Sequence, residues 1–225
     1  MCKGCVVSLR ATLFDMDGLL LDSEILWHKA ELEIFGSLGV PLGNAAGRST
    51  KGMFVEEVVA YWFAKYPWRT PAPDVVVDQL LNRVGDLVES EGRLLPGALR
   101  ALDLTGERGP LALASSTPMP LIVRCLTHFG LLERFVSLHS AESELYGKPH
   151  PGVFLSAAAA LGVVPASCLA LEDSAAGVLA AKAARMCVVA VPTSEDRHEP
   201  EFALADLVLD SLEVLTPEWL DQRFA

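Results

Sequence analysis

Short apolar runs recur through the second half of the chain, and each is followed by a segment long enough to form a helix. From Pro96 onward this alternation is regular. Together with one earlier apolar run, it is typical of parallel strands covered by helices on both faces. We predict six strands, at Ala11–Phe14, Leu111–Ser115, Phe135–Leu138, Cys168–Leu171, Cys187–Val191 and Leu207–Leu209, and helices near 97–105, 119–130, 151–161, 174–186 and 198–205.

The stretch between the first strand and Pro96 departs from this alternation because it holds no convincing strand. It predicts three successive helices, at Ser23–Leu38, Lys51–Tyr66 and Pro73–Ser90. We interpret residues 23–92 as an inserted helical unit, and residues 1–22 together with 93–225 as the main domain. The predicted fold class is α/β, with a doubly wound, Rossmann-like parallel-sheet core and an α-helical insertion.

The first strand ends in the most informative polar motif of the chain, Asp15-Met16-Asp17-Gly18. Open α/β sheets bind their ligands at the carboxyl ends of the strands. Residues two apart in a strand point the same way, but Gly18 and the strand end are expected to splay the two carboxylates. Since carboxylates this close repel each other, one must meet a cation or a proton. The motif predicts a metal site, or a nucleophile beside a proton-transfer group.

Polar groups also follow the later predicted strands, and the topology brings them to the same edge of the sheet as Asp15. They are Ser115-Ser116-Thr117, Lys148 and Glu172-Asp173. Taken alone, each group also has a non-functional interpretation. Helix capping would explain Ser115-Ser116-Thr117 and Glu172-Asp173-Ser174, and Lys148 resembles a solvated lysine before a helix. Their convergence favours a functional site.

This set of groups suits the hydrolysis of a phosphate monoester. A nucleophilic Asp15 would divide the reaction into two steps through an aspartyl-phosphate. Because a carboxylate repels a phosphate dianion, a Mg²⁺ ion between Asp15, the backbone carbonyl of Asp17 and Asp173 would offset that repulsion. The phosphoryl oxygens would be held by donors at the other strand ends: Lys148, the Ser115 hydroxyl and the Ser116 amide.

Composition narrows the classes of partner. The chain has 225 residues and a formal net charge of −11, which argues against a surface for nucleic acid or anionic membranes. No apolar stretch is long enough to span a bilayer, and no apolar leader segment is recognised. We expect a monomeric cytoplasmic protein whose partner is a small phosphorylated metabolite.

Three of the five cysteines lie in apolar segments and are expected in the core: Cys125, Cys168 and Cys187. Cys2 and Cys5 have the spacing of half a zinc site, but no second Cys or His pair has a matching spacing. We interpret them as part of a frayed N-terminal tail.

Four segments, in this order, resemble the motifs of the haloacid dehalogenase superfamily: Phe14-Asp15-Met16-Asp17-Gly18, Ala114-Ser115-Ser116, Gly147-Lys148-Pro149-His150-Pro151 and Leu171-Glu172-Asp173-Ser174. The helical insertion resembles the cap of its β-phosphoglucomutase-like branch. Shorter segments are similar to bacterial 2-deoxyglucose-6-phosphate/hexitol phosphatases: Asp22-Ser23-Glu24, Tyr61-Trp62 and Lys182-Ala183-Ala184-Arg185-Met186.

The resemblance implies a Mg²⁺-dependent phosphatase that acts on a small sugar or polyol phosphate. Asp15 would be the nucleophile, and Asp17 the acid that protonates the leaving alkoxide and then activates water. Asp173 would bind Mg²⁺ with support from Glu172. The residues implied to hold the transferring phosphoryl group are Ser115, Ser116 and Lys148.

A phosphosugar mutase is the main alternative, and two positions argue against it. Mutases of this branch carry a histidine where this chain has Trp27, and a cap arginine where our alignment has Phe54. A binding protein on a decayed enzyme scaffold would lack a motif residue, and a haloacid dehalogenase could dispense with Asp17. The identity of the substrate stays open, since it depends on the orientation of cap side chains such as Trp27, Lys51, Tyr61 and Trp62.

Overall fold

Six strands form the sheet in the part of the chain that the computed structural model describes, residues 8–42 and 53–224. They are β1 (Ala11–Phe14), β2 (Leu111–Ser115), β3 (Ser137–Ser140), β4 (Cys168–Glu172), β5 (Cys187–Ala190) and β6 (Leu207–Val208). All neighbours pair in parallel, in the order β3-β2-β1-β4-β5-β6. The predicted parallel sheet is confirmed.

The α-helices of the described residues follow the predicted alternation. Four of them lie between β1 and β2: α1 (Glu24–Ser37), α2 (Val55–Lys65), α3 (Pro73–Glu91) and α4 (Ala98–Gly106). The others are α5 (Met119–His128), α6 (Gly152–Ala160), α7 (Ala175–Ala183) and α8 (Pro217–Arg223). Lys51, placed at the start of the second predicted helix, lies outside the described residues.

Successive strand residues are buried on opposite faces of the sheet, which explains the near-continuous apolar runs. One face carries large side chains, such as Phe14 and Leu113, that pack against α4 and α5. The other face is rich in alanine and packs against α6 and α7. A sheet covered on both faces in this way is doubly wound, as predicted.

Helices α1, α2 and α3 form the helical insertion, in which α1 and α2 both pack against α3. The chain leaves and re-enters the core through two adjacent antiparallel segments. The Asp22 amide donates to the Arg93 carbonyl at 3.0 Å, and the Leu95 amide donates to the Leu20 carbonyl at 2.9 Å. The insertion is therefore confirmed, while the domain boundaries at 22/23 and 92/93 stay a prediction.

The third predicted strand was displaced by two residues. We expected Phe135–Leu138, but β3 runs from Ser137 to Ser140 and pairs with β2 from Ala112 to Ser115. Phe135 instead packs edge-on against Phe14, with ring centroids 6.2 Å apart. Because β3 lies at the edge of the sheet, Ser137 and His139 remain partly exposed, so apolar content did not mark the strand.

The C-terminal region also differs from the prediction. The helix expected near 198–205 is a 3₁₀ helix at Pro200–Leu204, packed on α7 through the buried Phe202. Helix α8 was not predicted, although its start carries a recognisable signal. Thr216 accepts a hydrogen bond from the Trp219 amide at 3.2 Å, and Pro217 occupies the first helical position.

Two predictions based on composition were tested by the fold. Cys125, Cys168 and Cys187 are buried free thiols, as expected, whereas Cys2 and Cys5 lie outside the described residues. None of the helices in the described part of the chain combines the length and apolar character needed to cross a bilayer.

Candidate active site

The strand order reverses between β1 and β4, and the candidate site lies at the carboxyl ends of these two strands. Asp15 follows β1 directly, Glu172 ends β4, and Asp173 comes next. The Asp15 amide donates to the Leu171 carbonyl at 3.1 Å, which ties the two strand ends together. Such a reversal is where open α/β sheets bind their ligands, because neighbouring connections diverge to opposite faces and leave a crevice.

Lys148 lies at the centre of this edge. Its Nζ donates to Asp15 Oδ1 at 2.8 Å, to the Ala114 carbonyl at 3.0 Å and to Glu172 Oε1. These three acceptors use all three protons of the ammonium group. The lysine side chain is only 5% exposed, so the interpretation as a solvated lysine is wrong. Burial alone would lower the pKa of Lys148, but Asp15 and Glu172 raise it above its usual value.

Glu172 is fully buried and connects Lys148 to the start of α7. Its second oxygen, Oε2, accepts from the Ser174 hydroxyl at 3.0 Å and from the amides of Asp173 and Ser174 at 3.2 Å. A Cβ at Gly177 would lie 1.9 Å from the Glu172 carboxyl carbon, so only glycine leaves room there. The Ser174 hydroxyl also caps α7 by accepting from the Gly177 amide, which confirms the capping alternative for this serine.

Asp17 occupies a different environment from Asp15, as the predicted splaying of the pair requires. Its Oδ1 accepts from the Ser23 hydroxyl at 2.6 Å and from the Trp27 indole Nε1 at 3.1 Å. Its Oδ2 accepts from the Thr117 hydroxyl at 2.5 Å. Both oxygens are therefore held by donors, two from the segment that begins the helical insertion and one from the loop after β2.

The sequence placed Thr117 at this edge and named Trp27 as a candidate for substrate selection, but it did not predict that both donate to Asp17. We weighed the segment around Thr117 as a helix cap, but Pro118 is the residue that precedes α5, without a side-chain capping bond. Trp27 was noted only as a departure from the mutase pattern and as a candidate for substrate selection. The signal for Thr117 was its hydroxyl directly after a strand end.

Ser115 and Ser116 lie where predicted, at the end of β2 and just beyond it. The Ser115 hydroxyl is buried and accepts from the Thr117 amide at 3.1 Å, which shapes the turn that presents Thr117 to Asp17. Ser116 is partly exposed. Their predicted contacts with a phosphoryl group stay a prediction.

Three carboxylates of the described residues are grouped closely enough to hold a metal ion: Asp15, Glu172 and Asp173, with ligand oxygens within 4.8 Å of one another. This oxygen-only donor set suits Mg²⁺. Both oxygens of Glu172 already accept hydrogen bonds, from Lys148 and from the start of α7, whereas Lys148 binds only Oδ1 of Asp15. We therefore favour Asp15 and Asp173 as ligands. The Asp17 side chain is not in this group, and the metal contact predicted for its backbone carbonyl stays a prediction.

Two further features describe the electrostatics and shape of this group. Burial raises the pKa of Asp15 to about 7, and Glu172 and Asp17 act in the same direction, while Lys148 opposes them. A nearby cation would favour the ionised form of Asp15.

Gly18 has a φ of +73°, and a Cβ there would lie 2.3 Å from Asp173 Oδ2, so glycine lets Asp173 approach the first loop.

The helical insertion also contacts the loop that carries Lys148. Phe54, the residue before α2, lies directly over Gly147, where a Cβ would come within 2.4 Å of the ring. The position we compared with the cap arginine of mutases therefore presents an aromatic ring to the loop beside the site.

Known proteins resemble this chain in sequence and in fold. A family model described as haloacid dehalogenase-like hydrolase matches residues 9–185. Hexitol phosphatase B of Escherichia coli strain K12 is 46% identical over 210 residues, which are 92% of this chain and 95% of that protein. β-Phosphoglucomutase of Bacillus subtilis strain 168 is 29% identical over 225 residues, 96% of this chain and 97% of that protein. The crystal structure of CbbY from Rhodobacter sphaeroides in complex with phosphate has a TM-score of 0.83 and 30% identity, and the match covers 95% of this chain and 99% of that chain.

Replacement of Gly177 by alanine tests whether the buried carboxylate network supports the site. The added methyl group would displace Glu172 and, through it, Lys148, so we expect Gly177→Ala to reduce kcat/KM for p-nitrophenyl phosphate by about 100-fold or more. Gly36→Ala is the matched control, because no atom lies within 4 Å of a Cβ built there in α1. Equal activity of both variants would contradict a supporting role for Glu172.

Proposed function

The chain belongs to the haloacid dehalogenase-like hydrolases, and on this basis we propose that it is a Mg²⁺-dependent phosphomonoesterase that acts through an aspartyl-phosphate. The observation that carries this proposal is the separation of two neighbouring carboxylates into different environments. Asp15 faces the Lys148 ammonium, whereas Asp17 faces hydroxyl and indole donors. Such a division suits one nucleophile and one proton-transfer group.

In the first step, an Asp15 oxygen attacks phosphorus and the bond from phosphorus to the ester oxygen breaks. The leaving alkoxide takes a proton from Asp17, and the product is the phosphorylated Asp15. The ammonium group of Lys148 lies 2.8 Å from Asp15 Oδ1 and is therefore next to the phosphoryl group that Asp15 attacks. Its positive charge neutralises negative charge on the phosphoryl oxygens. Ser115 and Ser116, at the adjacent strand end, would donate to the same oxygens.

In the second step, Asp17 takes a proton from water as the water oxygen attacks phosphorus. The bond between phosphorus and Asp15 breaks, and inorganic phosphate leaves with the carboxylate restored. Ser23, Trp27 and Thr117 act as positioning residues in both steps, since their donors fix the two Asp17 oxygens. The indole of Trp27 can only donate, so it orients Asp17 without exchanging a proton.

The metal ligands are proposed to be Asp15, Asp173 and the backbone carbonyl of Asp17. When bound, Mg²⁺ supplies positive charge that reduces repulsion between the nucleophile and the phosphate. Local cations of this kind also offset the net charge of −11, which otherwise disfavours an anionic substrate.

We further propose that the substrate is a small sugar or polyol phosphate. The similarity to a protein named hexitol phosphatase B supports this class. A phosphosugar mutase of the β-phosphoglucomutase type is the alternative, supported by the similarity to a protein of that name. Trp27 on Asp17 and Phe54 over Gly147 favour hydrolysis, because neither side chain supplies the cation that would hold a second phosphate.

Asp17→Ala tests the proton-transfer role. We expect turnover of an alkyl phosphate such as sorbitol 6-phosphate to fall by roughly 10²–10⁴-fold. The loss in aspartyl-phosphate formation should be smaller for p-nitrophenyl phosphate, whose leaving group needs little protonation. Single-turnover measurements with both esters separate this step from the release of phosphate. Asp15→Asn is the reference variant and should remove turnover of both substrates, and equal losses for both esters in Asp17→Ala would exclude the general-acid role.

Removal of divalent metal tests the cofactor, and the same assay surveys the substrate class. We expect EDTA to abolish phosphate release from a panel of sugar, polyol and nucleotide monophosphates, and Mg²⁺ to restore it. Asp173→Ala should raise the Mg²⁺ concentration needed for half-maximal activity by more than about tenfold. Full activity in metal-free buffer would refute the proposed metal site.

The products distinguish a phosphatase from a mutase. We expect β-glucose 1-phosphate, supplied with a trace of the bisphosphate, to give free glucose and inorganic phosphate in an NMR time course. A mutase must retain the phosphorylated intermediate and present its other end to Asp15. Faster appearance of glucose 6-phosphate than of inorganic phosphate would establish the mutase instead.

A further inference from the structure

Helix α1 has two faces with different partners. On the outer face, Lys29 pairs with Glu91 and Glu33 pairs with Arg83, so these side chains join α1 to α3. On the other face, Trp27, Glu31 and Phe35 follow one another at intervals of four residues and form a continuous stripe. Trp27, at the start of this stripe, reaches Asp17 in the candidate active site.

Glu31 is the unexpected member of this stripe. It is 8% exposed, and no hydrogen bond or ion pair joins its carboxylate to another residue of 8–42 or 53–224. Its oxygens are not among the unpartnered side-chain atoms that are closed off from solvent. Burial raises the pKa of Glu31 to about 7. Buried carboxylates are normally paired or hydrogen-bonded, because transfer of an unpaired polar group from water is unfavourable. An acceptor in this position therefore suits a ligand that supplies the missing donor.

The direction of the side chain relates Glu31 to the reacting atoms. Side chains on a helix tilt toward its N-terminus, so Glu31 leans over the turn that carries Trp27. Residues four apart on a helix have Cβ atoms about 6 Å from one another. The indole of Trp27 contacts Asp17, the proposed proton donor to the ester oxygen. A leaving group several carbon atoms long, attached to that oxygen, would extend along α1 toward Glu31.

We propose that Glu31 is a specificity-determining residue that accepts hydrogen bonds from hydroxyl groups of the sugar or polyol part of the substrate. This inference rests on the proposed phosphatase function and extends it to the recognition of the leaving group. It selects leaving groups that carry hydroxyl donors several carbons away from the phosphate. An apolar leaving group cannot satisfy the buried carboxylate, and a site that leaves a polar group unpaired discriminates against such a ligand.

The Trp62 indole is a second polar group of the insertion without a partner among the described residues. Its ring lies 6.3 Å from that of Phe35, at the far end of the stripe. Because its Nε1 is closed off from solvent, we assign the substrate contact to Glu31 rather than to Trp62.

Substitution of Glu31 by an apolar residue of similar length tests the inference. Steady-state kinetics are compared for the parent, Glu31→Met and Glu31→Gln, with sorbitol 6-phosphate and the hydroxyl-free p-nitrophenyl phosphate as substrates. The measured ratio is kcat/KM for sorbitol 6-phosphate divided by kcat/KM for p-nitrophenyl phosphate. We expect Glu31→Met to lower this ratio by about 10- to 100-fold, mainly through a higher KM for sorbitol 6-phosphate. Glu31→Gln, which keeps a carbonyl acceptor, should restore part of the ratio.

Glu33→Met is the matched control, since it removes a carboxylate from the outer face of the same helix, and it should leave the ratio within about twofold of the parent. A ratio unchanged in Glu31→Met, or an equal loss for both substrates together with a lower Tm, would show that Glu31 is only structural. If the parent hydrolyses p-nitrophenyl phosphate but no sugar or polyol phosphate, the proposed substrate class fails and this inference fails with it. A parent active on sorbitol 6-phosphate with an unchanged ratio in Glu31→Met overturns this inference alone.

Discussion

The site depends on one buried ammonium group. Lys148 meets two carboxylates, Asp15 and Glu172, that are almost completely removed from water, and the Ala114 carbonyl takes its third proton. Without this cation, two neighbouring buried negative charges would face each other, a condition that is strongly destabilising. The same ammonium group joins the ends of β1, β2 and β4. The geometry of the site and the packing of these three strand ends therefore depend on the same group.

The helical insertion contributes hydrogen-bond donors to the site as well as shape. Asp17 lies on the core, yet Ser23 and Trp27, at the start of the insertion, supply two of its donors. The third donor, Thr117, comes from the core. Any displacement of α1 relative to the sheet would change the hydrogen bonding of Asp17. In the proposed mechanism, the position of the insertion would therefore affect proton transfer.

Much of this arrangement was determined by the sequence itself. Apolar runs of strand length, separated by segments of helical length, specify a doubly wound parallel sheet because every strand must be buried on both faces. Polar residues directly after those runs then converge at one edge, as Asp15, Lys148 and Glu172 do. The three successive helices after the first strand identified the insertion. Local pattern was sufficient wherever burial alone decides the structure.

Only the tertiary structure decided which polar groups pair. The sequence allowed Thr117 to be a helix cap and Lys148 to be solvated. In the structure Thr117 donates to Asp17 and Lys148 donates to Asp15, and both carboxylates lie 100 or more residues away along the chain. The sequence also assigned no role to Glu31, because the burial of a carboxylate is a property of the folded surroundings. The edge strand β3 was displaced in the prediction for a related reason, since an edge strand is defined by its neighbour and not by its own apolar content. Interactions between distant residues, whose energies depend on distance and on exclusion of water, cannot be derived from local pattern.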